Sequence, residues 1–152
     1  MICSCNSSLA SRKAGAATVK GAVYPRTDRI LNLYGLFKAY PISFELVLGD
    51  GIGNADAVNA ARAFPNVHVG GMWWYNFRVS NYQQTMQQRF EALPSTKSEL
   101  VVSDARCIEW CYGKIILIKR LVSDYLFDQV DQGWIDPNGA LRVARDWLHD
   151  SA

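Results

Sequence analysis

The chain has 152 residues, a net charge of +2, 49% hydrophobic and 20% charged residues. That length suits one domain with a real core, in the ordinary balance of a soluble globular protein. So small a charge argues against nucleic acid or an anionic membrane as partner, and no apolar run approaches the ~20 residues of a membrane span.

In chain order, residues 1–22 form a poorly defined N-terminal segment, rich in Ser and Ala, with Arg12, Lys13 and Lys20 and no acidic residue before Asp28. It is loosely like a transit peptide but lacks the apolar centre of a secretory signal, and a frayed start is the plainer reading. Residues 23–152 form the folded unit. From Asp28 one plan repeats: an amphipathic helix, an apolar–proline stop, a short strand, then a polar or glycine-rich cluster. The first helix shows Ile30, Leu33, Tyr34 and Phe37 on one face and stops at Tyr40-Pro41; Phe44–Leu48 follows as a strand into Gly49-Asp50-Gly51-Ile52-Gly53-Asn54. The second, Ala-rich, stops at Phe64-Pro65, and its strand Val67-His68-Val69 leads to Gly70-Gly71-Met72-Trp73-Trp74-Tyr75-Asn76. The third carries Tyr82, Met86 and Phe90, stops at Leu93-Pro94, and gives the strand Glu99–Val102 ending at Ser103-Asp104-Ala105-Arg106. Proline lacks an N–H and disfavours helix in the residue before it, so each pair is a physical stop.

Strands alternating with helices predict parallel βα units, either one sector of a (β/α)8 barrel or part of a doubly wound sheet. After Arg106 the pattern is helical, with an apolar stripe of Ile115, Ile116, Ile118, Leu121, Val122, Tyr125 and Leu126. Gly133 is the expected stop. Asp136-Pro137 opens a last helix with Asp136 as N-cap, bearing Leu141, Val143, Ala144, Trp147 and Leu148.

Four cysteines are present, Cys3, Cys5, Cys107 and Cys111. The last two share a helix face, but no other Cys or His lies near enough in sequence to complete a tetrahedral metal set. They read as buried free thiols in a reducing, cytoplasmic setting.

Ligands of parallel α/β folds gather at the C-terminal ends of the strands, which here carry Asp50, the Trp73–Asn76 run, and Asp104 with Arg106. Asp104 suits a metal ligand or general base, and equally a helix N-cap paired with Arg106. Trp73 and Trp74 could line a sugar pocket or fill the space between sheet and helices. The Asp50–Asn54 turn could hold an anion on its N–H groups but lacks a nucleotide-binding fingerprint, so a tight βα turn explains it better. His68 and His149 have no partner at metal-ligand spacing and read as structural or surface residues.

The run F-P-N-V-H-V-G-G-M-W-W-Y-N-F at 64–77, with S-D-A-R at 103–106, resembles the last two strands of the uronate isomerase family of the amidohydrolase superfamily. The stretch G-W-x-D-x-x-x-A-L-x-x-A-R-x-W at 133–147 resembles its closing helices, and L-Y-G-L-F-K-A-Y-P with F-E-L-V-L-G-D the preceding helix and strand. The resemblance runs from about Val23 to the end of the chain.

It implies an α/β fold, the C-terminal part of a distorted (β/α)8 TIM barrel of the metal-dependent hydrolase type, followed by closing helices. It implies aldose–ketose isomerisation of a hexuronate, glucuronate to fructuronate, in carbohydrate catabolism, by a homo-oligomer holding a divalent metal, zinc above all. Asp104 would then lie near the metal and shuttle a proton, Arg106 would steady the substrate's negative charge, and Trp73 and Trp74 would line the pocket. The family's metal site begins with a His-x-His pair after the first barrel strand, upstream of anything here. A whole barrel takes about 250 residues. This chain is therefore expected to be a partial barrel with an open sheet edge and apolar inner faces, inactive by itself. The alternatives are a non-catalytic α/β module that binds a small anion at the glycine turn and Arg106 or joins another chain to complete its sheet, and a metal-dependent hydrolase on the same fold.

Overall fold

The structure, a computed structural model, describes residues 2–4, 28–49, 51–72, 78–102 and 105–151. The proline stops set its frame. Helices α1 (Asp28–Ala39), α2 (Asn54–Ala63) and α3 (Val79–Ala92) each end immediately before the apolar–proline pair. Strands β1 (Ile2–Ser4), β2 (Phe44–Leu48) and β3 (Val67–Met72) form a parallel sheet in that order. Cys3 pairs with Leu46, and Leu46 with Val69. The N-terminal segment thus supplies an edge strand.

The expected strand Glu99–Val102 lies in the right place without forming a regular ladder. Ser98 makes one parallel bridge to Val69, and the Glu99 amide donates to the Val69 carbonyl at 2.9 Å. Beyond that, other groups take the backbone: the Glu99 carbonyl accepts from Arg89 (2.8 Å), the Leu100 amide donates to the Trp147 carbonyl (3.0 Å), and the Val102 carbonyl accepts from Lys114. The segment still lies against β3, since a Cβ on Gly71 would stand 2.8 Å from the Val101 carbonyl carbon. Among the described residues the sheet is open, with no closed barrel.

A three-residue 3-10 turn (Ser95–Lys97) precedes this segment, and α4 (Ile108–Asp131) follows it. Gly133 stops α4 at a φ of 76°, a left-handed conformation that glycine adopts without penalty. Helix α5 (Pro137–Arg145) then opens with the Asp136 carboxylate accepting the Gly139 amide, and a final π turn runs from Asp146 to Asp150. No helix of the described residues is long and apolar enough to cross a membrane.

Two apolar clusters hold these elements. One packs Ile30, Phe37, Phe44, Leu46, Val58, Phe64, Val67 and Val69 among α1, β2, α2 and β3. The other packs Met72, Tyr82, Met86, Leu100, Ile118, Val122, Leu126 and Trp147 under α3, α4 and α5. Strand alternation sends Glu45, Val47 and His68 to the opposite face, where they are half-buried. That inner face is mixed rather than apolar as expected, because its polar positions alternate with the core-facing ones.

Candidate functional site

Three strand ends come to one rim. β2 ends at Leu48 and turns through Gly51–Gly53 into α2. Asn81, in the first turn of α3, lies across this turn: a Cβ on Gly51 would meet its amide at 3.8 Å. β3 ends at Met72, and the extended segment 98–102 ends beside it. Trp73, Trp74, Asp50 and Asp104 lie outside the described residues. Arg106 is exposed, on the bend that leads into α4.

The rim also contains a cation that sequence reasoning overlooked. Lys114, on the first turns of α4, is 1% exposed. Its Nζ donates to the Met72 carbonyl at 2.8 Å and to the Val102 carbonyl. The Tyr82 hydroxyl reaches the same Met72 oxygen at 3.5 Å, and burial pushes its phenol well above the usual range against the pull of Arg89. Buried ammonium is tolerated only where acceptors replace water, and two strand-end carbonyls do so here. No local pattern marks Lys114; a lysine on the buried side of a predicted helix was the signal available.

At the opposite, N-terminal end of the strands is a second polar group. Glu45 on β2 and Glu99 share a carboxyl–carboxyl hydrogen bond. Gly70 makes room for it, since a Cβ there would collide with Glu45 Oε1. Burial, then the hydrogen bond and charge of Glu45, push the Glu99 carboxyl up to about 7, against the opposing pull of Arg89. His68 pairs with Glu45 in the strand register. Arg89, on α3, is fully buried and donates from Nε to Asn54 Oδ1 (3.1 Å), and from Nη1 to Ser98 Oγ (3.3 Å) and the Glu99 carbonyl (2.8 Å). Burial pulls its guanidinium down to about 10, offset in part by Tyr82 and Glu99, so it stays charged at neutral pH.

Among the described residues no three His, Cys, Asp or Glu side chains gather as a metal site. Cys107 and Cys111 are free thiols, Cys107 exposed and Cys111 partly so. This corrects the expectation of burial: Cys107 caps the outer start of α4 rather than facing the core.

No family model matches the chain. It is 28% identical over 92 residues to the uronate isomerase of Thermotoga maritima, and 27% over 92 residues to that of Thermotoga neapolitana. Each match covers 59% of this chain and 20% of the relative, so the chain spans about a fifth of the length of these relatives. The uronate isomerase structure from Thermotoga maritima superposes with a TM-score of 0.69 and 20% identity, over 80% of this chain and 26% of that one. The one from Bacillus halodurans gives 0.71 and 22%, over 86% and 31%. The chain is thus similar to uronate isomerases in sequence over part of its length, and in fold over most of it.

Proposed function

We propose that this chain is the C-terminal sector of a (β/α)8-barrel uronate isomerase, and that the complete protein interconverts a hexuronate aldose and ketose of the glucuronate–fructuronate type. One observation carries the reading. The ends of β3 and of segment 98–102 lie side by side, and Trp73-Trp74 and Asp104-Ala105-Arg106 follow them directly in sequence, in a chain that matches uronate isomerases in sequence and fold.

The chemistry moves the C2 hydrogen to C1 and the hydroxyl proton from O2 to O1, so that the carbonyl passes from C1 to C2 through an enediol. Asp104 as carboxylate takes the proton from one carbon and returns it to the other, the task of a positioned general base turned acid. Arg106 holds the substrate's negative charge, for which a planar guanidinium provides two parallel donors. Trp73 and Trp74 form the apolar wall against a sugar ring and exclude water. Asp104 is also the residue that would hold a divalent metal, zinc in this reading, which polarises the substrate oxygens when bound. One carboxylate does not make such a site, and the other ligands belong to a His-x-His pair upstream of this sector.

The test is ketose formation from glucuronate by the native protein purified from its source cells, with intact mass read on the same preparation. The reading expects activity at a mass well above 17.0 kDa, lost at least about 100-fold in Asp104→Asn. Undiminished activity in Asp104→Asn removes that residue from the mechanism. Ester or lactone hydrolysis without ketose formation replaces the reaction, and no turnover at a mass near 17.0 kDa favours a binding module.

A further inference from the structure

The two runs proposed to touch substrate belong to different βα units, and chain connectivity alone does not fix the distance between them. About thirty residues of helix, turn and extended chain separate Met72 from Val102. The ladder that normally holds neighbouring strands in register is reduced here to the bridge at Ser98, near the opposite end of the segment. At the rim, the hydrogen bonds that join the two strand ends among the described residues come from a side chain. Lys114 Nζ donates to both the Met72 and the Val102 carbonyls. Trp73 is the next residue after Met72, and Asp104 is two beyond Val102.

We infer that Lys114 is a positioning residue for the proposed site: its buried ammonium fastens the end of β3 to the end of segment 98–102, the two ends from which the chain continues to Trp73-Trp74 and to Asp104. The functional half of this rests on the isomerase reading; the mechanical half does not. Two features point to fastening rather than mere filling of space. The ammonium is a poor filler, because a fully buried charge is costly unless its donors are met, and an apolar side chain would fill the same volume without that cost. Its acceptors are moreover carbonyls of two adjacent strand ends, where a ladder bond would otherwise stand, and a catalytic constellation tolerates only about 0.5 Å of misplacement.

The experiment uses the full 152-residue chain. Lys114→Met keeps the stem and removes the donors. Leu126→Ala, in the core of the same helix and remote from the rim, is the control for plain destabilisation. Two quantities are read: amide hydrogen exchange at residues 70–72 and 100–102, and affinity for glucuronate from titration of tryptophan fluorescence. Lys114→Met is expected to speed exchange at both strand ends and weaken glucuronate at least about ten-fold. Leu126→Ala should lower the unfolding midpoint while leaving rim exchange and affinity near those of the parent. Equal exchange in the two variants overturns the fastening, and fast exchange with unchanged affinity overturns its role at the site. If the parent chain binds no glucuronate, exchange decides the fastening, and the role at the site is read as the glucuronate KM of the complete protein carrying Lys114→Met, where an unchanged KM overturns it. Should Lys114→Met not fold, Lys114→Gln, which keeps an N–H donor on a shorter stem, is expected to give the same effects in smaller measure, and parental behaviour in it overturns the proposal.

Discussion

Glu99 shows how one residue can make stability depend on pH. Its carboxyl is raised to about 7 in the folded chain by burial and by the neighbouring Glu45 carboxyl, against about 4.3 when unfolded. Between those values the folded state binds more protons than the unfolded one, so stability falls as pH rises through this window and is flat above it. The groups around the carboxyl agree with that sign: Glu45 on β2 opposes ionisation, and Arg89 on α3 favours it without outweighing burial. Because Glu99 is only half-buried, solvent screening cuts the effect to about 1 kcal/mol. Urea midpoints from pH 5 to 8 should therefore decline in the parent chain, and the decline should vanish in Glu99→Gln, whose amide keeps the hydrogen bond without needing a shared proton. A midpoint that rises toward pH 8 in the parent would contradict the carboxyl pairing.

At the scale of elements, helix ends are held by side chains from elsewhere in the chain. The Asn66 amide donates to the carbonyls of Phe37, Tyr40 and Ile42 at 3.0–3.1 Å, closing the end of α1, and Lys97 Nζ donates to the carbonyls of Ala61 and Phe64 at the end of α2. A helix leaves its last four carbonyls without internal partners, so these contacts fix where the helices stop in space. Asn66→Ala should cost about 1 kcal/mol by urea denaturation, the usual net worth of such bonds where water can partly replace them. Asn66→Asp should cost at least as much, because a carboxylate cannot donate and repels the negative end of the helix dipole. A better-tolerated Asp would mean that the amide donates nothing essential.

The same contrast explains what the sequence could and could not tell. The stops at Tyr40-Pro41, Phe64-Pro65 and Leu93-Pro94, the Gly133 stop and the Asp136 cap were legible because proline, glycine and caps act within a few residues. The irregularity of Glu99–Val102 was not, because it depends on Arg89, Lys114 and Trp147, each brought there by tertiary packing. That the Trp73-Trp74 run directly follows a strand was legible from the βα order. The buried Lys114 was hidden in an ordinary helical pattern.

At the scale of the molecule, Arg89 stands where the two apolar clusters meet. It leaves α3 from the second cluster and reaches Asn54 on α2, the Val69 carbonyl of β3 (3.4 Å), Ser98 and Glu99. Its Nη2 is buried without a hydrogen-bond partner among the described residues, so the arginine is not held there for cheap desolvation. A methionine would remove the buried charge, a gain, but would leave Asn54 Oδ1 and the Glu99 carbonyl short of donors in a dry space. Each such loss costs about 1–3 kcal/mol, so the change should destabilise the chain by about 2–4 kcal/mol. Its second consequence is loss of cooperativity. The α1–β2–α2–β3 cluster and the α3–α4–α5 cluster each have their own apolar contacts, and without Arg89 the polar links left between them are the Asn54–Gln88 bond, the Lys97 bonds to the α2 carbonyls and the weakly laddered edge at Ser98. Urea unfolding of Arg89→Met, followed by far-ultraviolet circular dichroism and by tryptophan fluorescence, should then give two non-coincident transitions where the parent gives one. Trp147 reports the second cluster, with Trp110 and Trp134 on its outer helix and loop. Coincident transitions at lower stability would show that Arg89 contributes energy without coupling the halves. Unchanged stability would show that its buried charge costs as much as its hydrogen bonds return, leaving the two clusters joined by packing alone.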